Sequence, residues 1–144
     1  MLLAAAAALG SCTVQAEPGA VWNLREKIVG LSKSLSGLPY HYGGTDIDGF
    51  DCSGFVQYVY DCYGIRIPRT AKKQGRMKNR IRFKEARPGD ILIFKIKGGW
   101  HSGLLLSRRR FVHAPKRGDR IRQQEFDLFW KRHFKWAVRV IDDQ

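Results

Sequence analysis

Three short apolar segments follow one another after Pro88-Gly89-Asp90, separated by brief turns. Residues 91–96 form the first, and Gly98-Gly99 makes the turn after it. Residues 101–107 form the second, Arg108-Arg109 the next turn, and residues 110–114 the third. Strands this close in sequence pair antiparallel, because a parallel partner needs a crossover of about a dozen residues or more. The carboxyl-terminal half is therefore constrained to an antiparallel meander. Two helical patterns precede it. Leu24, Ile28, Leu31 and Leu35 recur at helical spacing over residues 21–35, and Gly37 and Pro39 close that run. From Asp51 onward, Cys52, Phe55, Val56, Val59, Cys62 and Tyr63 fall on adjoining faces until Gly64 ends the second helix. A glycine-rich loop over residues 38–50 joins the two. Pro68-Arg69-Thr70 is a turn that caps a short helix over 71–74. A segment near Ile121, a short helix over 128–133 and a last strand over 136–141 complete the chain. Helices first and a meander after read as one α+β domain, with no internal repeat.

A chain of 144 residues with 44% hydrophobic and 27% charged side chains can bury a stable core and is not disordered. Its 26 basic and 13 acidic residues give a net charge of +13, which favours an anionic neighbour without naming one. The bland alternative is a solubilising basic surface with no partner. There are three cysteines, Cys12, Cys52 and Cys62; an odd count argues against a complete disulfide framework, and no CxxC pair suggests a structural metal.

Cys52 lies in Gly49-Phe50-Asp51-Cys52-Ser53-Gly54-Phe55-Val56, at the start of the second helix. A thiol there feels helix-terminal N–H groups and the positive end of the helix dipole, so its pKa is expected to fall. His101 opens the second strand and His113 sits in the third; a hairpin between them puts both imidazoles on one sheet face if register allows. A thiol nucleophile, a base and an orienting group are the parts of covalent acyl transfer. Each part alone has an ordinary reading: a cysteine on an apolar helix face is usually core, and a histidine at a strand end is usually solvated. The joint context carries the sharper one. Zinc held by Cys52, His101 and His113 is disfavoured, since catalytic zinc wants dedicated ligands and an open position; no cofactor is called for. Cys62, between tyrosines, reads as packing.

The motifs Leu38-Pro39-Tyr40-His41-Tyr42-Gly43-Gly44, Phe50-Asp51-Cys52-Ser53-Gly54-Phe55-Val56-Gln57, Ile67-Pro68-Arg69-Thr70, Pro88-Gly89-Asp90-Ile91, His101-Ser102-Gly103 and Phe111-Val112-His113-Ala114 occur in one order over residues 24–141. In this the chain resembles the NlpC-type family of bacterial cell-wall cysteine peptidases. The resemblance implies a papain-like α+β fold, with N-terminal helices packed on an antiparallel sheet. It implies Cys52 as nucleophile, His101 as base, His113 as the third, polarising residue and Tyr40 near the oxyanion site. Asp51 and Ser53 match positions that hold a substrate amine in some members. The implied substrate is the stem peptide of peptidoglycan or its cross-links, and the bond cut stays open. Ser102 and Leu104-Leu105-Leu106 depart mildly from the family pattern without removing a catalytic group.

Residues 1–19 read as an export signal and tether, with the domain over 20–144. Residues 1–9 are apolar and alanine-rich, too short to span a bilayer, and lead into Leu9-Gly10-Ser11-Cys12, which resembles a lipobox with Cys12 as the lipidated residue. No Lys or Arg precedes the apolar stretch, and Val14-Gln15-Ala16 offers ordinary signal cleavage instead. The expected location is the cell envelope, as a periplasm-facing lipoprotein, or otherwise secreted. Lys72, Lys73, Arg76, Lys78, Arg80, Arg82 and Lys84 form one basic run and Arg108-Arg109-Arg110 another; they are a solvated face or a contact to an anionic membrane or wall surface. Export argues against a nucleic-acid partner; aromatics interleave with basic residues over 126–136, but the same spacing is that of an amphipathic helix that buries Phe and Trp, which is the preferred reading. A basic envelope- or wall-binding protein without catalysis is the competing class.

Overall fold

A computed structural model describes residues 21–141, with side chains from Leu24 onward. In chain order the elements are α1 (Val21–Ser34), β1 (Thr45–Asp46), β2 (Gly49–Phe50), α2 (Cys52–Asp61), α3 (Ala71–Gln74), β3 (Arg80–Ile81), a 3-10 turn (Phe83–Glu85), β4 (Ile91–Ile96), β5 (Gly99–Ser107), β6 (Arg110–His113), β7 (Arg122–Glu125), α4 (Leu128–His133) and β8 (Phe134–Val138). The expected meander is β4–β5–β6. It forms the middle of a six-stranded antiparallel sheet in the order β3-β8-β4-β5-β6-β7, so the fold is α+β as expected.

Both faces of the sheet are covered. Ile91, Ile93, Leu104, Leu106 and Val112 join Ile28, Phe55, Val56 and Val59 in a core under α1 and α2. The alternate residues Leu92, Phe94, Leu105 and Phe111 turn to the opposite face and meet Phe83, Phe126, Trp130 and Phe134. This is the period-two alternation of strands buried on both sides, which in sequence appears as a continuous apolar run. Residues 126–134 serve this second core: Phe126 is buried and Trp130 packs on Phe94 at 5.0 Å, while Leu128 and Phe129 remain exposed.

A buried charge cluster ties α1 to the sheet. Asp90 is fully buried and accepts from Arg25 Nη1 (2.8 Å), Arg139 Nη2 (3.0 Å) and the Arg87 N–H (2.8 Å). The Tyr60 hydroxyl donates to the neighbouring Gly89 carbonyl. Pro88-Gly89-Asp90 is thus both a turn and the place where helices and sheet are bolted together. Removing one partner of such a cluster strands a buried charge.

The last strand lies earlier than its expected span of 136–141. Val138 pairs with Ile91, the first residue of β4, so beyond it there is no neighbouring strand to bond. Arg139 instead donates its N–H to the Asn79 carbonyl. The weakly patterned basic stretch supplies the edge strand β3, and the segment near Ile121 becomes the opposite edge, β7. Cys62 is buried, in keeping with its reading as packing.

Candidate active site

Asp51 is the N-cap of α2: its Oδ1 accepts the Gly54 N–H at 2.7 Å. This fixes Cys52 as the first helical residue. The start of α2 sits against the loop before it. Asp51 N–H bonds the Gly44 carbonyl, and a side chain on Gly54 would run into that carbonyl oxygen, so only glycine fits at that position of the motif.

The sheet presents the histidines. Beyond Leu104↔Val112 the β5–β6 pairing ends, and β6 stops at His113. Ser102 therefore lies past the paired register, and its backbone N–H acts on the Cys52 thiol in the direction that favours the thiolate. Ser102 is the residue next to His101 on β5. His101 and His113 lie on the same sheet face, as expected, with His101 Nε2 and His113 Nδ1 2.8 Å apart. Gly103 makes this possible: a Cβ there would sit 3.1 Å from the Phe111 ring and 3.2 Å from His113 Cβ. Trp130 closes the wall, with ring centroids 5.8 Å from His101 and 4.9 Å from His113.

Tyr40 is brought in by its neighbours. Phe50 N–H bonds the Pro39 carbonyl and His41 N–H the Phe50 carbonyl, so Tyr40 lies alongside the strand leading to Cys52. Burial raises its phenol pKa, and the nearby Cys52 and Asp51 add to that shift.

Asp51 and Ser53 are engaged with a residue to which the motif reading gave no role. Arg69 Nη1 donates to Asp51 Oδ1 (2.9 Å) and Nη2 to Oδ2 (2.7 Å), a two-pronged pair. Arg69 Nη1 also reaches the Ser53 hydroxyl at 3.0 Å. Oδ2 further accepts the Gly43 N–H at 3.2 Å. With five donors in place, counting the Ser53 hydroxyl at 3.4 Å, this carboxylate is already satisfied without a substrate amine.

Electrostatics depart from the helix-dipole expectation. Burial pushes the Cys52 thiol above its ordinary value; the N–H groups of Ser102 and Ser53 and the Ser53 hydroxyl offset this only in part. Burial also lowers His101 to about 4 and carries His113 well below its ordinary value. The ligand-free site therefore favours a neutral thiol beside neutral imidazoles, because the aromatic wall and the sheet exclude the water that would solvate either charge. Among the described residues no group of three or more His, Cys, Asp or Glu is placed to hold a metal ion.

Residues 37–139 match the NlpC/P60 family. The chain belongs to that family. Within it, the chain is 31% identical to "Probable endopeptidase NlpC" of Escherichia coli strain K12 over 151 residues, covering 98% of this chain and 97% of that protein. It is 35% identical over 113 residues to "Murein DD-endopeptidase MepH" of the same strain, covering 73% of this chain and 42% of that protein. Among solved structures, the NlpC/p60 domain of the peptidoglycan hydrolase SagA superposes with a TM-score of 0.72 at 31% identity, over 81% of this chain and 98% of that domain. The NlpC/P60 fold expected from the motifs is the fold observed. Arg69 stood in the quoted Pro68-Arg69-Thr70 motif but its partner lies 18 positions away. Trp130 lies in the aromatic segment over 126–136, whose pattern points to burial but not to a place beside the histidines.

The depressed histidines carry a stability signature. A group whose folded pKa lies below its unfolded one stabilises fully above the unfolded value and loses that contribution as pH falls through the folded value. For His101 the window runs from 6.5 down to about 4, about 3 kcal/mol at 1.36 kcal/mol per unit. His113 acts in the same direction. Chemical denaturation from pH 7 to pH 4 should show stability falling across that window, and a His101→Gln protein should lose about that much less over it. Superimposable slopes would mean that burial does not control His101.

Proposed function

We propose that this protein is a peptidoglycan endopeptidase that cuts amide bonds of murein stem peptides or their cross-links through the Cys52 thiol. The observation that carries the reading is the buried His101–His113 pair at 2.8 Å beside a sulfur held at the start of α2, in a chain of the NlpC/P60 family. His101 Nε2 is committed to His113, which leaves Nδ1 for the thiol. As Cys52 Sγ attacks the amide carbonyl, His101 Nδ1 takes the thiol proton. The oxygen that becomes negative is stabilised by the Cys52 backbone N–H and the Tyr40 phenol. The imidazolium then protonates the leaving amine, and a thioester remains. His101 next deprotonates water, which attacks the thioester and frees the carboxylate and the thiol. Neutral resting groups suit this sequence, since charge appears on imidazole and substrate oxygen together.

Cross-links are the favoured bond. Asp51 is satisfied by Arg69, Gly43 and Gly54, so recognition of a free stem-peptide amine would require breaking a two-pronged ion pair. A cross-linked peptide needs no such amine, and the relative MepH is named a murein DD-endopeptidase. Asp51 and Ser53 thus act by positioning Cys52 and Arg69. Incubation with purified sacculi, followed by muramidase digestion and mass analysis of the muropeptides so released, tests both activity and bond. The wild-type protein should release uncross-linked muropeptides, and Cys52→Ala should lower release by at least about a thousandfold while keeping the fold. Undiminished release by Cys52→Ala would refute the thiol mechanism. Sacculus binding without release by the wild type would favour the non-catalytic reading.

The location proposed is the cell envelope, with Cys12 as lipid anchor and the basic surface as a second contact. Cys12 lies outside the described residues. Lys72, Lys73, Arg76, Lys78, Arg80, Arg82, Lys84 and the Arg108-Arg109-Arg110 turn are exposed, as contact with anionic lipid or wall polymer requires. Intact mass after expression in a lipoprotein-processing bacterium should show a diacylglyceryl adduct on Cys12, with Cys12→Ser released from the membrane. A mature chain lacking lipid would overturn the anchor.

A further inference from the structure

We propose that Gln124 is a positioning residue that completes the proton relay behind Cys52, as the acceptor for the second nitrogen of His113. The inference rests on the thiol mechanism above. His113 is fully buried, and its Nε2 has no hydrogen-bond partner. A buried ring nitrogen without a partner is costly and uncommon. The tautomer makes it sharper. If His101 Nδ1 is to receive the thiol proton, His101 Nε2 must carry a hydrogen and donate to His113 Nδ1. His113 then carries its own hydrogen on Nε2, which makes the orphan a donor in search of an oxygen.

Strand register supplies that oxygen. His113 pairs with Arg122 and Phe111 with Gln124 across β6–β7, so Gln124 projects on the same face as His113, one diagonal step away. Its amide is oriented by a neighbour: Arg122 Nε donates to Gln124 Oε1 at 3.3 Å. A carbonyl oxygen has two lone pairs, and the second is left for His113. Gln124 favours the charged form of His113, as an acceptor does, yet falls short of hydrogen-bond geometry with Nε2 in the resting site. Formation of the imidazolium on His101 polarises the His101–His113 bond and strengthens the His113 Nε2–H as a donor, which draws the contact closed. No proton leaves in this step: the thiol proton rests on His101 Nδ1, and each hydrogen behind it stays on its own nitrogen.

The charged and titratable groups around His113 are His101 on β5 and Arg122 on β7, both of which oppose its protonation, while α4 contributes the uncharged Trp130. Arg122 is itself paired with Asp119 at 3.8 Å. Gln124 thus stands between a guanidinium and the relay, offering an acceptor without a full charge.

The test is the pH profile of muropeptide release by wild type, Gln124→Leu and Gln124→Glu, with the His113 ring signals followed by NMR in the same proteins. Gln124→Leu should lower kcat about tenfold at unchanged KM, the worth of one hydrogen bond of about 1.4 kcal/mol. Its acidic limb should move to lower pH. Gln124→Glu should recover most of kcat and move that limb, and the His113 titration, to higher pH, because a carboxylate stabilises the imidazolium. Unchanged kcat and an unmoved limb in both variants would overturn the proposal, as would equal losses in both with no shift of the His113 signals. If Gln124→Leu does not fold, the direction of the Gln124→Glu shift decides alone. An inactive wild type whose His113 signals still follow Gln124 would sink the thiol mechanism and leave the contact standing.

Discussion

The carboxylate of Asp51 joins three parts of the chain that sequence keeps apart, and the active site depends on that junction. It caps α2 through the Gly54 N–H, holds the loop behind Tyr40 through the Gly43 N–H, and grips Arg69 with both oxygens. An N-cap alone contributes about 1 kcal/mol, and an ion pair with partly exposed members adds little more. The larger effect is geometric. Cys52 follows directly, so the direction of the thiol is set by where this carboxylate sits.

The second determinant is the sheet, whose two covered faces divide the labour. One face packs α1 and α2 against Ile91, Ile93, Leu104 and Leu106, and so brings the helix bearing Cys52 up to β5. The other buries both imidazoles under Phe94, Phe111 and Trp130. The helix packs against β5 beside the end of β6 at His113, where the Ser102 N–H acts on the thiol. The same burial that orders the histidines withholds charge from them. A site built this way favours neutral groups at rest, and in the proposed mechanism charge arises together with the developing oxyanion, the condition for electrostatic stabilisation to act on the transition state rather than the ground state.

Much of this was legible in residue order. Turns at Gly98-Gly99 and Arg108-Arg109 fixed the hairpins, and the motif around Cys52 fixed the helix start. The shared face of His101 and His113 followed from hairpin geometry. Long-range partners were not legible. Arg69 is 18 positions from Asp51, and Trp130 reaches the histidines across the sheet from α4. The expected fall of the Cys52 pKa failed because the helix-terminal donors compete with desolvation, and burial cannot be read from local sequence. The end of β8 was misplaced for a related reason: its apolar tail packs on the core without a strand beside it.

The central claim is that Cys52 carries the acyl group of the substrate as a thioester. Rapid acid quench during turnover of cross-linked muropeptides, followed by peptide mapping and mass spectrometry, tests it most directly. The account predicts a transient adduct of acyl-donor mass on the peptide containing Cys52, formed and lost at rates that match turnover. Steady release of product with no adduct on Cys52, or with the adduct on another residue, would contradict it.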